Sequence, residues 1–288
     1  MTPDRQTPAA ANDRRRERLS DGQAHGSTER APDRPRGPLP TRVEDLPELP
    51  AAYADVLEAG LASLDLRLDV PVRAMVDGHV RLLLAWTAAI NLTSIRHPAE
   101  VARMHVLDSL TAVPLLAALG VGRFLDLGSG GGFPGLPLAA ALGAERVLLL
   151  DSVAKKVRFL RTVVEATGLD RRVAAESRRA EAVARDPRDR EAWPAVTARA
   201  VAPLAELVEL ALPLLSPGGV LVAWKREPLE AELAQAGGAL RALRAGPVRI
   251  LANEVPGLEA HRLVVVARAG PIDQRFPRDP AERRRRPL

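Results

Sequence analysis

The 288-residue chain contains no cysteine. That excludes a disulfide framework, a thiolate-ligated zinc or iron–sulfur site, and a thiol nucleophile. Lysine is scarce: Lys155, Lys156 and Lys225 are three of the 41 basic residues, and the other 38 are arginine. Aromatic residues make up 3%, with Tyr53 the single tyrosine, so the Tyr–Lys acid/base pair of a short-chain reductase has no source. The five histidines are scattered without metal-ligand spacing, and no metal is expected. No apolar run approaches the roughly 20 residues of a bilayer span. The first 40 residues lack the apolar stretch of a signal peptide. A cytoplasmic chain without a membrane partner is the expectation.

The net charge of +5 sits at the ends, with +2 over residues 1–40, +3 over residues 271–288, and a neutral body between them. Net charge alone therefore does not point to nucleic acid; a local patch would have to. Residues 1–40 are rich in Pro, Arg, Asp and Gly and carry an Arg14-Arg15-Arg16 run. They hold too little apolar surface to offset ordering entropy and read as a disordered basic extension. Residues 271–288, ending in Arg283-Arg284-Arg285-Arg286, read as a second disordered basic tail.

Helical spacing of apolar residues predicts helices over 51–64 and 71–90, the latter through Val72, Met75, Val76, Val80, Leu83 and Leu84. His79 falls among them as an edge-of-core residue. Pro98 opens a further helix running to about Leu119. These elements, within residues 41–119, are expected to cap the domain that follows. From residue 120 to 270 the pattern alternates. Strands are predicted at 123–127, 146–150, 195–198, 219–224 and 262–267, with weaker candidates at 172–175 and 247–251. Helices are predicted at 136–142, 153–166, 177–185, 202–215 and 228–243. Such alternation means a doubly wound, mostly parallel α/β sheet, Rossmann-like, and two late strands without a helix between them suggest an antiparallel edge hairpin.

The informative segment runs from Phe124 to Gly135, an apolar strand leading through Gly128, Gly130, Gly131 and Gly132 into a helix. Glycines there let backbone approach a ligand beyond the carboxyl ends of the strands. Gly130, Gly132 and Gly135 formally satisfy a dinucleotide fingerprint, with Asp151 following 21 residues after Gly130. Asp126, two residues before the first glycine, argues against a pyrophosphate and for a cationic ligand such as S-adenosylmethionine. Asp151 suits a ribose diol, and it also suits the N-terminus of the helix after it. Leu214-Leu215-Ser216-Pro217-Gly218-Gly219 resembles the segment before the fifth strand of class I S-adenosylmethionine-dependent methyltransferases. An NAD-linked oxidoreductase is the weaker alternative.

A finer resemblance is carried by several ordered segments. They are Trp86 with Asn91-Leu92-Thr93-Ser94-Ile95-Arg96, His105-Val106-Leu107-Asp108-Ser109, Gly131-Gly132-Phe133-Pro134-Gly135, and Leu150-Asp151-Ser152 with Lys156-Val157-Arg158-Phe159-Leu160. Arg179-Ala180-Glu181, Ala198-Arg199-Ala200 and Trp224-Lys225 complete the set. Over about residues 50–270 the chain resembles the bacterial small-subunit ribosomal RNA methyltransferase G family. It departs from the family at Met104, Pro194 and Arg226. The resemblance implies methylation of N7 of one guanine in 16S rRNA, with 16S rRNA or the small ribosomal subunit as partner and S-adenosyl-L-methionine as cofactor. It places Gly128, Phe133, Asp151, Ala180, Glu181 and Arg199 at the cofactor, with Arg199 also positioning the reacting base. Asn91, Arg96, His105 and Lys225 are candidates for RNA contact. For Arg199, an ion pair to Asp126 or Asp108 stands as an alternative. A methyltransferase with another substrate and a non-catalytic subunit-assembly factor remain open, and a monomer is expected.

Overall fold

The computed structural model describes residues 37–288, so the disorder expected over residues 1–36 lies outside the described residues. Leu39 packs on the core, and the Pro40 carbonyl accepts the Trp86 indole N–H at 2.7 Å. The extension expected over 1–40 therefore gives way to docked chain before its end.

Two helices come first, α1 (Ala51–Ser63) and α2 (Val70–Ile90). Asp69 starts α2 by accepting the Val72 N–H at 2.8 Å, and Pro71 sits in its first turn, where no backbone donor is lost. Asn91 ends it in a left-handed conformation, φ 52°.

The single helix expected from Pro98 to Leu119 is broken into α3 (Pro98–Val101), a π turn (Ala102–Leu107), α4 (Asp108–Leu110) and α5 (Val113–Ala118). By composition Pro98–Ala118 is long and apolar enough to cross a membrane, with mean hydropathy 1.3. In the fold much of it is buried against other elements, and it carries His105 and the buried Asp108.

The sheet and its helices follow as β1 (Arg123–Leu127), α6 (Gly135–Ala141), β2 (Arg146–Asp151), α7 (Ala154–Ala166), β3 (Val173–Ser177) and α8 (Ala180–Ala184). Then come β4 (Trp193–Arg199), α9 (Leu204–Ala211), β5 (Leu215–Arg226), α10 (Glu230–Ala242), β6 (Ala245–Ala252) and β7 (His261–Arg268). The strand order is β3-β2-β1-β4-β5-β7-β6. The pairs among β1 to β5 are parallel, and β7 runs antiparallel to both β5 and β6. The hairpin is thus present, but its reversed strand lies inside the sheet and β6 forms the edge.

Alternate strand residues go to opposite faces. Phe124, Val147, Leu149, Val222 and Val265 join one core with residues of α1, α2 and α7. Leu125, Leu127, Leu148, Leu150, Leu221 and Val264 join the other with residues of α9 and α10. Burial on both faces explains why these strands read as continuous apolar runs. The order reverses at β1, whose neighbours β2 and β4 carry the chain to opposite sides. That opens a crevice at their carboxyl ends.

The tail expected to be disordered is folded. Ile272 and Phe276 are buried in the second core, and α11 (Pro280–Arg285) follows. Arg278, buried, grips the buried Glu209 carboxylate with Nε at 2.9 Å and Nη2 at 2.7 Å. Composition suggested disorder because it weighs charge along the chain, whereas these arginines find partners distant in sequence. Phe276→Ala is expected to lower the unfolding free energy by about 3–5 kcal/mol in chemical denaturation. A free tail would show no change.

Candidate functional site

The glycine loop folds back on the end of β2. The Gly128 and Ser129 N–H groups both donate to the Leu150 carbonyl, at 2.7 and 3.0 Å. Gly130 N–H donates to Asp151 Oδ2 at 2.9 Å, and Gly132 N–H to the Ser129 carbonyl at 2.7 Å. Gly128 has φ 73°, and a Cβ there would meet Val201 Cγ2 at 2.7 Å, so glycine is required on two counts. Four of the loop's amides are thus spent internally. The loop is a tight backbone shelf and not an open cradle of donors for a pyrophosphate.

Two clefts meet at this shelf. The first, of about 520 Å³, is lined by Gly128, Asp151, Lys156, Ala180, Glu181 and, from the C-terminal segment, Arg283. Asp151 is buried and fixed by two backbone donors, Gly130 at one oxygen and Val153 at the other, 2.8 Å. Each oxygen keeps acceptor capacity for a diol. Its local bond is to Val153, which is itself the N-cap of α7, so Asp151 does not cap that helix as the alternative reading expected. Glu181, in the first turn of α8, is paired with Arg283. Burial works to raise its carboxyl, but the bonds from Arg283 and from its own backbone outweigh that and hold it below its ordinary value.

The second cleft, of about 540 Å³, is lined by Leu92, His105, Gly128, Phe133, Arg199 and Lys225, among others. Asp108 organises it. One carboxylate oxygen accepts Arg199 Nη1 at 3.0 Å and the other accepts His261 Nδ1 at 2.9 Å. The Asp108 carbonyl accepts the Trp224 indole N–H at 2.6 Å. Arg199 Nη1 also donates to the Met104 carbonyl, and Nη2 lies 3.1 Å from His105 Nδ1. The lone pair of Nδ1 therefore faces the guanidinium, and Nε2–H donates to Thr93 Oγ1 at 2.7 Å. Burial first, and then Arg199, lower His105 to about 4. The Phe133 ring stacks with both His79 and His105, at 4.3 and 4.9 Å, and lies under Arg199 at 5.5 Å.

The candidate residues thus divide. Asp151, Ala180 and Glu181 line the first cleft, Phe133, Arg199, His105 and Lys225 the second, and Gly128 both. Arg199 pairs with Asp108, the alternative weighed from sequence, while standing at the cleft. Lys225 is tied to Glu232 and the Ala202 carbonyl. Asn91 and Arg96 are exposed and line neither cleft; Asn91 closes α2. His261 was not foreseen, because it lies 153 residues from Asp108 and no motif links them. Arg283 was seen only as part of a charge run.

Asp126 does not face a ligand, which removes the electrostatic argument built on it. It is fully buried beneath α6, accepts Thr197 Oγ1 at 2.7 Å, and packs so tightly on Gly135 that a Cβ there would meet it at 2.7 Å. The spent loop amides supply the argument against a pyrophosphate instead.

The 3-2-1-4-5-7-6 order with one reversed strand, the glycine shelf, and a fixed carboxylate ending β2 define a class I S-adenosylmethionine-dependent methyltransferase. The donor set fits that cofactor, offering carboxylates to its hydroxyl and amino groups and backbone in place of a phosphate cradle. The family described as rRNA small subunit methyltransferase G (GidB) matches residues 73–255. The chain is 39% identical to a ribosomal RNA small subunit methyltransferase G of Roseiflexus castenholzii, over 78% of this chain and 96% of that one. The corresponding proteins of Sorangium cellulosum and Cupriavidus pinatubonensis are 37% and 40% identical, over 84% and 75% of this chain and 97% and 94% of theirs. The chain belongs to the rRNA small subunit methyltransferase G family.

Burial raises the Asp126 carboxyl from 3.8 to about 6. The folded state disfavours its charge, so its contribution to stability is complete below about pH 4 and is lost as pH rises through 6. Asp126→Asn keeps the acceptor for Thr197. It is expected to exceed the parent in thermal stability at about pH 8, with the gap closing by about pH 4.5. A gap independent of pH would contradict this assignment.

Proposed function

We propose that this protein transfers the methyl group of S-adenosylmethionine to N7 of one guanine in 16S rRNA, acting on the small ribosomal subunit in the cytoplasm. Asp151 and Glu181 in the first cleft would hold the adenosyl moiety, with Gly128 at the junction through which the two clefts communicate. When bound, the cofactor supplies an electrophilic methyl group on a sulfonium.

The observation that carries the reading is the fixed Arg199 guanidinium in a second cleft whose ionisable groups are largely engaged with one another, His261 Nε2 being a ring nitrogen left without a partner among the described residues. Asp108 is committed to Arg199 and His261, His105 presents its lone pair to Arg199, and Lys225 is tied to Glu232. Guanine N7 has an in-plane lone pair and no proton to lose, so it needs none of them. What remains for the protein is to hold the base and exclude water. Arg199 suits that task, because its planar guanidinium is fixed by Asp108 and the Met104 carbonyl and stays partly exposed. Phe133, the aromatic ring beside Arg199, is itself buried and stacked with His79 and His105. The base must leave its stack to enter, as in other enzymes that act on a nucleobase.

Incubation with labelled S-adenosylmethionine and small subunits lacking the modification is expected to give 7-methylguanosine on nucleoside analysis. Label in another nucleoside, or none with cofactor binding intact, would overturn the assignment in favour of another acceptor or an assembly role. Arg199→Ala is expected to lower single-turnover methyl transfer about 100-fold while the dissociation constant for adenosylhomocysteine changes little. Full activity in that variant would remove Arg199 from the base site.

A further inference from the structure

The C-terminal segment lies beyond residues 73–255, over which the family matches. Its path is specific nonetheless. Ile272 and Phe276 enter the second core, Arg278 clamps Glu209, and Leu288 packs so close to α10 that a Cβ on Gly238 would meet its backbone at 2.5 Å. Arg190 and Arg185 donate to the Phe276 and Pro277 carbonyls, at 2.8 and 3.1 Å.

Those contacts anchor the arm and would suffice for a purely structural role. Arg283 does something different. It is buried, lines the first cleft beside Pro280 and Arg284, and turns its guanidinium to Glu181, the carboxylate assigned to the cofactor. The same group reaches Glu206 at 3.2 Å and the Arg278 carbonyl at 2.8 Å. The cleft keeps about 520 Å³ beside Asp151 and Gly128 with the arm docked, so the arm bounds the space and does not fill it.

We propose that residues 271–288 form a wall of the adenosine end of the cofactor pocket, in which Arg283 orients the Glu181 carboxylate. The proposal rests on the cofactor reading given above.

The test is binding of adenosylhomocysteine to the full chain by calorimetry, together with hydrogen exchange of the C-terminal amides. Arg283→Met is expected to weaken binding tenfold or more, and Arg283→Lys, which keeps the charge beside Glu181, to recover part of the loss. In the unaltered protein, saturating adenosylhomocysteine is expected to slow exchange at residues 281–286, a readout that does not depend on any variant folding. Binding by Arg283→Met within twofold of the parent would overturn the proposal. So would tighter binding, which would make the arm a plug, or unchanged exchange at those amides. A parent protein that does not bind adenosylhomocysteine at all would instead remove the cofactor reading and this proposal with it.

Discussion

A buried carboxylate holds the working end of this molecule together. Asp108 comes from the N-terminal helices, yet its partners come from three strands: Arg199 at the end of β4, Trp224 on β5 and His261 on β7. Removing one partner from such a buried pair leaves an uncompensated charge, which costs about 3–5 kcal/mol. Beyond the shared apolar core, this carboxylate ties the cap to three strands, and the second cleft is built around it. The π turn at Ala102–Leu107 precedes Asp108 and sets His105 beside Arg199. Such turns recur at functional sites because the extra residue redirects the side chains that follow.

The second organising feature is the glycine shelf. By satisfying its own amides on Leu150, Asp151 and Ser129, the loop becomes rigid without offering a nest for an anion. Asp151 and Glu181 then stand in the first cleft and a fixed guanidinium in the second, with Gly128, Ala200 and Lys156 common to both.

Much of this was legible in the sequence. The strand over 123–127 was placed to the residue and the helix over 51–64 to within one, since continuous apolar runs and helical spacing report burial directly. The glycine loop and Asp151 were legible because local backbone geometry dictates their residue types. Other features were not, and each failure has a physical cause. Asp126 was assigned to the ligand because strand position does not say on which side of the sheet a side chain ends; it ends under α6. The insertion of β7 between β5 and β6 depends on pairing across the sheet, which periodicity does not encode. The arginine-rich C-terminus was read as solvated because charge counts ignore partners such as Glu209 and Glu181, which lie far away in sequence.

Two clefts share Gly128, and the proposed function gives one to the adenosyl group and the other to the acceptor. A crystal structure with adenosylhomocysteine tests it most directly. The ribose diol is expected on Asp151, the adenine beside Glu181, and the sulfur at Gly128, facing Arg199. Adenosylhomocysteine seated wholly in the Arg199 cleft, or away from Asp151, would contradict it.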